Sequence, residues 1–263
     1  MSAILFDDKI VHYEVLGRGR PIIFLHGWVG SWRYWVPTMQ VAATAFRTYA
    51  LDLWGFGDTS KNPQGYSLEQ QSDLLARFMH EMGLSKIALV GHGLGALVGA
   101  VFARRFPEMV DRMLMADLPL NNAAVSPRLR ALASPADLAD WLLSREPSAE
   151  PVRADASKAD PMAITASLNN LETLDFMPIM DSMTIPCLIV HGQNDPAIQT
   201  PEYERILMMS DYVHQVILDA SGHFPMLDEG PKFNRLMTDF LALLTGESPR
   251  QLQLKEEWKR RVR

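Results

Sequence analysis

Residues 86–96 read KIALVGHGLGA, and this stretch decides the fold. Its first half is an unbroken apolar run, which is typical of a strand buried on both faces of a parallel sheet. Three closely spaced glycines then permit a sharp turn, and a helical pattern runs from Leu94 to about Phe106. The stretch therefore predicts a buried strand, a tight turn centred on Gly93, and a helix directly after it.

Strand and helix patterns alternate on both sides of this turn. A hairpin is predicted over residues 3–16, and further strands over 21–25, 46–53, 110–117, 187–190 and 213–218. The alternation predicts an α/β fold with a doubly wound, mostly parallel sheet of eight strands. It stops between Pro119 and Met183, where helical patterns are interrupted by prolines. We therefore expect a helical cap over 119–183, inserted into a core domain made of 1–118 and 184–263.

Composition excludes several classes of protein. The 263 residues carry a net charge of −6, which predicts no nucleic-acid partner. No apolar stretch reaches about 18 residues, so we expect no membrane span. The single cysteine, Cys187, lies in an apolar run and is expected to be a packed core thiol in a reducing compartment, which favours a cytoplasmic location. Only the tail 255–263 is strongly basic, and we interpret it as a solvated terminal segment.

Candidate chemical groups follow the predicted strands, where a doubly wound sheet places its ligands. Asp195 and His223 follow two successive strands near the carboxyl end of the chain, and we predict that they form an acid–base pair. Asp117 also ends a strand and is the alternative acid, or a residue that pairs locally. His26 lies in a strand-end turn and is expected to fix its loop beside the pocket. No His, Cys or Asp cluster shows the spacing of metal ligands, so no metal is predicted.

Five motifs, in order along the whole chain, resemble those of the α/β-hydrolase superfamily. The resemblance is to its cap-bearing, cofactor-free members, which include esterases, lactonases and carbon–carbon bond hydrolases. The motifs are His26-Gly27-Trp28, residues 52–60 (DLWGFGDTS), Gly91-His92-Gly93-Leu94-Gly95, residues 191–195 (HGQND), and Gly222-His223-Phe224-Pro225. The resemblance implies a catalytic site that needs no cofactor.

The same resemblance assigns roles to individual residues. The backbone N–H groups of Trp28 and Leu94 would form an oxyanion hole, and Asp195 would orient His223. In the family pattern G-x-S-x-G the central residue is a nucleophilic serine, whereas this chain has Gly93. Glycine visits positive φ without strain, so the replacement relieves strain and removes the nucleophile.

Three hypotheses follow from Gly93. The first is a hydrolase-type site for an ester or acyl substrate that is weakly active or inactive because it lacks the serine. In the second, a water in the vacated volume, or the substrate itself, loses a proton to His223. The third is a non-catalytic binding or scaffold protein, as in the N-myc downstream-regulated family, which looks like a hydrolase but lacks the serine.

A dinucleotide-binding protein is a fourth, weaker hypothesis. Gly91, Gly93 and Ala96 match G-x-G-x-x-A, and Asp117 ends the next strand. That motif usually opens a domain, however, and it leaves the other four motifs unexplained.

Aromatic residues near the strand ends indicate the kind of ligand. We predict a pocket for a small apolar or aromatic acyl compound. Its predicted lining is His26, Trp32, Trp54, Asp117 and Trp141. The sequence indicates no oligomeric state.

Overall fold

The computed structural model describes residues 2–131 and 134–252, so the basic tail lies outside the described residues. One sheet holds eight strands in the order β1-β2-β4-β3-β5-β6-β7-β8. The second strand pairs antiparallel with both its neighbours, and the remaining pairs are parallel. The predicted α/β fold is confirmed. The strands are β1 (Ser2–Phe6), β2 (Lys9–Gly17), β3 (Arg20–Leu25), β4 (Phe46–Leu51), β5 (Ile87–His92), β6 (Val110–Ala116), β7 (Cys187–Gly192) and β8 (Val213–Leu218).

Helices cover the sheet. They are α1 (Val36–Ala42), α2 (Leu68–Glu81), α3 (Leu94–Arg105), α4 (Pro127–Ala131), α5 (Pro135–Leu142), α6 (Glu150–Ala156), α7 (Pro161–Asn170), α8 (Met177–Asp181), α9 (Tyr203–Leu207), α10 (Pro225–Asp228) and α11 (Gly230–Leu241). The sequence pattern predicts one helical segment from about Trp32 to Ala45, but that segment is split, because a 3₁₀ turn over Trp32–Trp35 precedes α1. Pro37 explains the restart, since proline fits the first turn of a helix and disrupts its interior.

Strand β5 and helix α3 form the centre of the core. Every residue of β5 is buried, and so are ten of the twelve residues of α3. Gly95 permits the close approach of α3 to β3, because a Cβ there would lie 2.3 Å from the carbonyl oxygen of Leu25. The first turn of α3 therefore sits directly over the carboxyl ends of the central strands.

The segment between β6 and β7 contains α4 to α8, and no strand is assigned in its described residues. We call residues 119–183 the inserted segment. Its backbone bonds to the loop after β4, since Asp160 N donates to Gly55 O at 2.7 Å. Side chains add to this contact: the Tyr66 hydroxyl donates to Asp160 at 2.7 Å, and Asn170 accepts from the amide of Leu68 at 2.8 Å. These bonds join the segment to the loop after β4 and to the start of α2.

Two further predictions concern single features of the chain. Cys187 is buried, and burial raises the pKa of its thiol to about 12, which confirms a packed, unreactive side chain. Among the described helices, none combines the length and apolar character needed to cross a membrane.

Candidate active site

Gly93 occupies the sharp turn between β5 and α3. Its φ of +49° and ψ of −107° lie in a region that costs other residues roughly 1–3 kcal/mol. The turn is fixed on both sides: Gly93 N donates to Ala116 O at 2.9 Å, and Gly95 N donates to His26 O at 3.0 Å. Since Leu94 begins α3, no carbonyl one turn earlier within the helix can accept its N–H. The positive φ predicted for residue 93 is confirmed.

The structure brings Asp195 and His223 together. Nδ1 of His223 donates to Oδ2 of Asp195 at 2.8 Å, and both side chains are buried. Oδ1 of Asp195 accepts from the amide of Ala197 at 2.7 Å, which orients the carboxylate. Burial raises the pKa of Asp195, but the neighbouring His223 and these hydrogen bonds lower it by more than burial raises it. The pKa of Asp195 therefore lies below the ordinary value. The carboxylate is therefore charged at neutral pH and holds the imidazole in one orientation.

Asp117 lies beside this pair without replacing Asp195. Its Oδ1 accepts from the amide of Gly192 at 3.1 Å, whereas its buried Oδ2 has no hydrogen-bond partner among the described residues. Burial, together with the charge of Asp195, raises the pKa of Asp117 well above its ordinary value. Asp117 thus keeps its proton to a higher pH than the neighbouring Asp195 does. The hydrogen bond to His223 is made by Asp195, not by the alternative acid.

A chain of hydrogen bonds connects three loops of the site. The amide of Gly27 donates to the Tyr34 hydroxyl at 2.6 Å, and that hydroxyl donates to Nδ1 of His92 at 2.9 Å. Nε2 of His92 then donates to the backbone carbonyl of His223 at 2.7 Å. Burial lowers the pKa of His92 well below its ordinary value, so the ring is the neutral tautomer that these bonds require. Sequence reasoning missed Tyr34, and the only signal for His92 was its place between the glycines of the turn.

Two groups of side chains lie close enough to hold a metal ion. Ligand atoms of His92, Asp117 and His223 fall within 4.8 Å of one another, as do those of His12, Asp52 and Asp58. In the first group both ring nitrogens of His92 already bond to protein atoms, so a metal would have to break its bond to Tyr34 or its bond to the carbonyl of His223. The second group is likewise bonded internally, His12 to Asp52 at 3.1 Å.

The side chain of Trp28 fills the space beside Gly93. A Cβ built on residue 93 would lie 2.9 Å from Cζ3 of the indole and 3.1 Å from Cε3. The ring is completely buried and lies nearly parallel to the imidazole of His223, with centroids 6.3 Å apart. The indole therefore occupies the volume in which one hypothesis places a water molecule.

His26 supports its loop. Its Nδ1 donates to Gly27 O at 2.8 Å and its Nε2 accepts from the amide of Leu53 at 3.0 Å. Both ring nitrogens are engaged by backbone, as expected for a residue that fixes the turn. Neither nitrogen is available to a ligand in this arrangement.

The structure places the three other predicted pocket tryptophans against different partners. Trp32 packs on His12, with ring centroids 5.6 Å apart, and Trp141 lies under the guanidinium of Arg128. Trp54 is buried, and its backbone exchanges two hydrogen bonds with Gln71. Their part in a ligand pocket stays a prediction. A separate cavity of about 170 Å³ lies at the amino edge of the sheet, between Arg20, Lys86 and Arg112, away from these groups.

The strand order also bears on the dinucleotide hypothesis. In the fold that binds dinucleotides, the glycine motif follows the first strand of an order 3-2-1-4-5-6. Here the glycine turn follows the fifth strand, and the sheet begins with an antiparallel hairpin. The glycines instead serve close packing, since a Cβ on Gly91 would lie 2.6 Å from Gly95 O.

Known proteins resemble the chain along most of its length. The putative carbamate hydrolase RutD of Yersinia enterocolitica is 24% identical over 94% of this chain and 97% of its own length. A soluble epoxide hydrolase of a Corynebacterium species is 31% identical over a shorter region, 41% of this chain and 38% of its own length.

Solved structures share the fold. The enol-lactonase of Burkholderia xenovorans LB400 superposes with a TM-score of 0.80 at 20% identity, over 92% of this chain and 100% of that one. A serine-to-glycine mutant of the N-acyl homoserine lactonase AidH, complexed with N-hexanoyl homoserine lactone, superposes with a TM-score of 0.79 at 19% identity. The match covers 91% of this chain and 96% of that one. Residues 22–236, which run from β3 into α11, match the Alpha/beta hydrolase family. The chain therefore belongs to the alpha/beta hydrolase family.

Proposed function

We propose that this chain has a hydrolase-type site for a small apolar ester or acyl compound, or a related carbon–carbon substrate, in which Gly93 stands at the position of the nucleophilic serine. The observation that carries the proposal is the buried bond of 2.8 Å between His223 and Asp195, at the same sheet edge as the Gly93 turn. The backbone N–H groups of Leu94 and Trp28 would be the oxyanion hole. Because they belong to the main chain, the loss of a serine leaves them in place.

The chemistry open to such a site is limited. His223 can accept a proton, and Asp195 stabilises the imidazolium that results. Without a hydroxyl at residue 93 no acyl-enzyme can form. Sites stripped of a triad member typically keep about 10³–10⁴-fold catalysis over water. We therefore expect the chain to bind its ligand and to turn it over feebly or not at all.

The substrate class is inferred from the surroundings of the site and from its relatives. Trp28 and Phe224 give the site apolar walls, with the Phe224 ring edge-on to His223 at 5.4 Å. The relatives are named for carbamates, epoxides and lactones. We propose that the inserted segment is the cap over this site, that no cofactor takes part, and that the protein acts in the cytoplasm.

A binding or scaffold function without catalysis is the second candidate. It is favoured by the contact of Trp28 with Gly93, since the indole fills the space that a nucleophile would need. The two candidates differ in whether the acid–base pair can still work.

Restoring the nucleophile tests this. Gly93→Ser is combined with Trp28→Ala, which gives the new side chain room, and labelling by a fluorophosphonate and hydrolysis of aromatic acyl esters are measured. We expect the double variant to be labelled, and the labelling to fall about 100-fold or more when His223→Ala is added. The parent chain is the control, since it has no hydroxyl at residue 93 to label.

The outcomes separate the candidates. His223-dependent labelling supports the hydrolase-type site. A folded double variant that is neither labelled nor active would contradict it and favour the scaffold function.

A further inference from the structure

The indole of Trp28 stands where a ligand or a nucleophile would have to be. A Cβ on residue 93 would lie 2.9 Å from its Cζ3, which is closer than side chains tolerate. On its other side the ring faces the imidazole of His223, with an interplanar angle of 19°. The side chain is completely buried in this position. The ring thus packs against both Gly93 and the imidazole of His223.

A residue of the inserted segment holds the indole in place. Trp28 Nε1 donates to Ser167 Oγ at 2.9 Å, and Ser167 in turn donates to the carbonyl of Ile164 at 2.7 Å. Ser167 lies on α7 and is itself completely buried. If the indole moved alone, its N–H would lose this acceptor inside a completely buried region, which is unfavourable. Movement of the indole is therefore coupled to α7.

We propose that the side chain of Trp28 is a gate that its hydrogen bond to Ser167 holds shut. The indole must leave the space beside Gly93 before a ligand can reach His223. The proposal rests on the proposed function, because it takes His223 as the group to be reached. It also narrows the ligand class: the space vacated by an indole is flat and apolar, so it fits a planar, aromatic acyl group. A ligand of that shape replaces the packing that the ring gives up.

Accessibility of residue 93 tests the gate directly. Gly93→Cys is prepared alone, with Trp28→Ala and with Ser167→Ala, and alkylation by iodoacetamide is followed at pH 9. At that pH an ordinary thiol is mostly ionised, and each rate is corrected for the thiolate fraction given by the variant's own pH–rate profile, so that the corrected rate reports access. Cys187 is buried with a pKa of about 12, so the parent chain gives the background.

We expect Trp28→Ala to accelerate alkylation of the introduced cysteine by more than tenfold. Ser167→Ala should accelerate it by roughly tenfold, the effect of losing one buried hydrogen bond. The alkylation rate with Trp28→Phe should lie between the rates with the parent Trp28 and with Trp28→Ala, because phenylalanine keeps an aromatic ring but has no N–H that Ser167 can hold. Thr165→Ala is the matched control, because it removes an exposed hydroxyl from the same helix and should leave the rate unchanged.

Equal alkylation rates in the folded Trp28 and Ser167 variants and in Gly93→Cys alone would overturn the gate. The failure of the proposed function looks different. In that case alkylation accelerates as expected, but the serine at residue 93 is not labelled by a fluorophosphonate even with Trp28→Ala. Circular dichroism and a thermal melt establish that each variant is folded.

Discussion

The side chain of His92 holds the backbone of His223, with Nε2 of the first 2.7 Å from the carbonyl oxygen of the second. The other nitrogen of the same ring accepts from Tyr34, whose oxygen accepts from the amide of Gly27. Each bond fixes the direction of the next, because a neutral imidazole has one donor and one acceptor. The loop that carries Trp28, the Gly93 turn and the loop of His223 are thus held as one rigid unit.

Tyr34→Phe should destabilise this unit. The change removes one oxygen and leaves the amide of Gly27 and Nδ1 of His92 buried without partners, so we expect a loss of about 1–3 kcal/mol in the free energy of unfolding. Denaturant unfolding measures it. Tyr49→Phe is the control, since that buried tyrosine lies outside the chain of bonds, and its effect should be smaller. Equal losses for the two variants would argue against the relay.

The stability of the Asp117→Asn variant relative to the parent chain should increase as pH rises. A carboxyl whose folded pKa is raised gives its full contribution to stability below its unfolded pKa and loses it as pH increases towards the folded pKa. Asparagine keeps an oxygen for the amide of Gly192 and does not titrate. The variant should therefore gain stability relative to the parent between pH 4 and pH 7, in unfolding curves at both pH values.

Asp195→Asn should show the opposite dependence of stability on pH. The pKa of Asp195 is lowered on folding, so its contribution is present above the unfolded pKa and is lost as pH falls through the folded pKa. Its asparagine variant should be less stable than the parent at pH 7, and the difference should shrink in acid. If both variants changed stability in the same direction with pH, the assignment of a raised pKa to Asp117 and a lowered pKa to Asp195 would be wrong.

Stability should also fall in mild acid because of buried histidines. His191 donates to Leu118 O and accepts from Gln215, and burial lowers its pKa to about 4. Since its unfolded pKa is about 6.5, the unfolded state takes up a proton first as pH falls from 6.5 to 4. The loss attributable to this residue is about 3 kcal/mol at pH 4.

His191→Gln should flatten the decline in stability between pH 7 and pH 4.5, as measured by urea unfolding. His80→Gln serves as the control, because that side chain is 87% exposed and the slope should not change. An unchanged slope in His191→Gln would show that another group dominates the acid transition.

Asp155 connects the inserted segment to the core. Its carboxylate bonds to Arg33 at 2.8 Å, to Lys158 at 3.1 Å and to the hydroxyl of Ser31 at 2.5 Å. Arg33 and Lys158 are each more than a third exposed, so solvent screening reduces what these ion pairs contribute. We expect Asp155→Ala to cost roughly 1–2 kcal/mol, seen as faster hydrogen exchange in α6 and α7.

The matched control for Asp155 is Arg205→Gln, which removes an exposed pair with Asp181. It should change stability by less than about 0.5 kcal/mol. Unchanged exchange in α6 and α7 of Asp155→Ala would mean that the inserted segment is held by its other contacts.

Local sequence patterns were sufficient to predict the strands and the pair of Asp195 and His223 at the ends of two of them. The predicted strand over 213–218 matches β8, and the glycine turn and its positive φ were readable because glycine spacing and apolar runs are local signals. The break after Trp35 was missed, since Pro37 lies inside an otherwise helical pattern. The roles of Tyr34 and Trp28 were not predictable, because each depends on a partner far along the chain, 58 and 139 residues away.

The partners in these contacts lie far apart along the chain, and this separation limits when the contacts can form during synthesis. During synthesis, Gly93 and Trp28 leave the ribosome long before His223, whose carbonyl must still reach His92 across 131 residues. Such distant contacts close late in folding. A chain truncated before β8 would have the glycine turn but not the imidazole of His223, so ligand binding that depends on His223 would report that the last strand has joined the sheet.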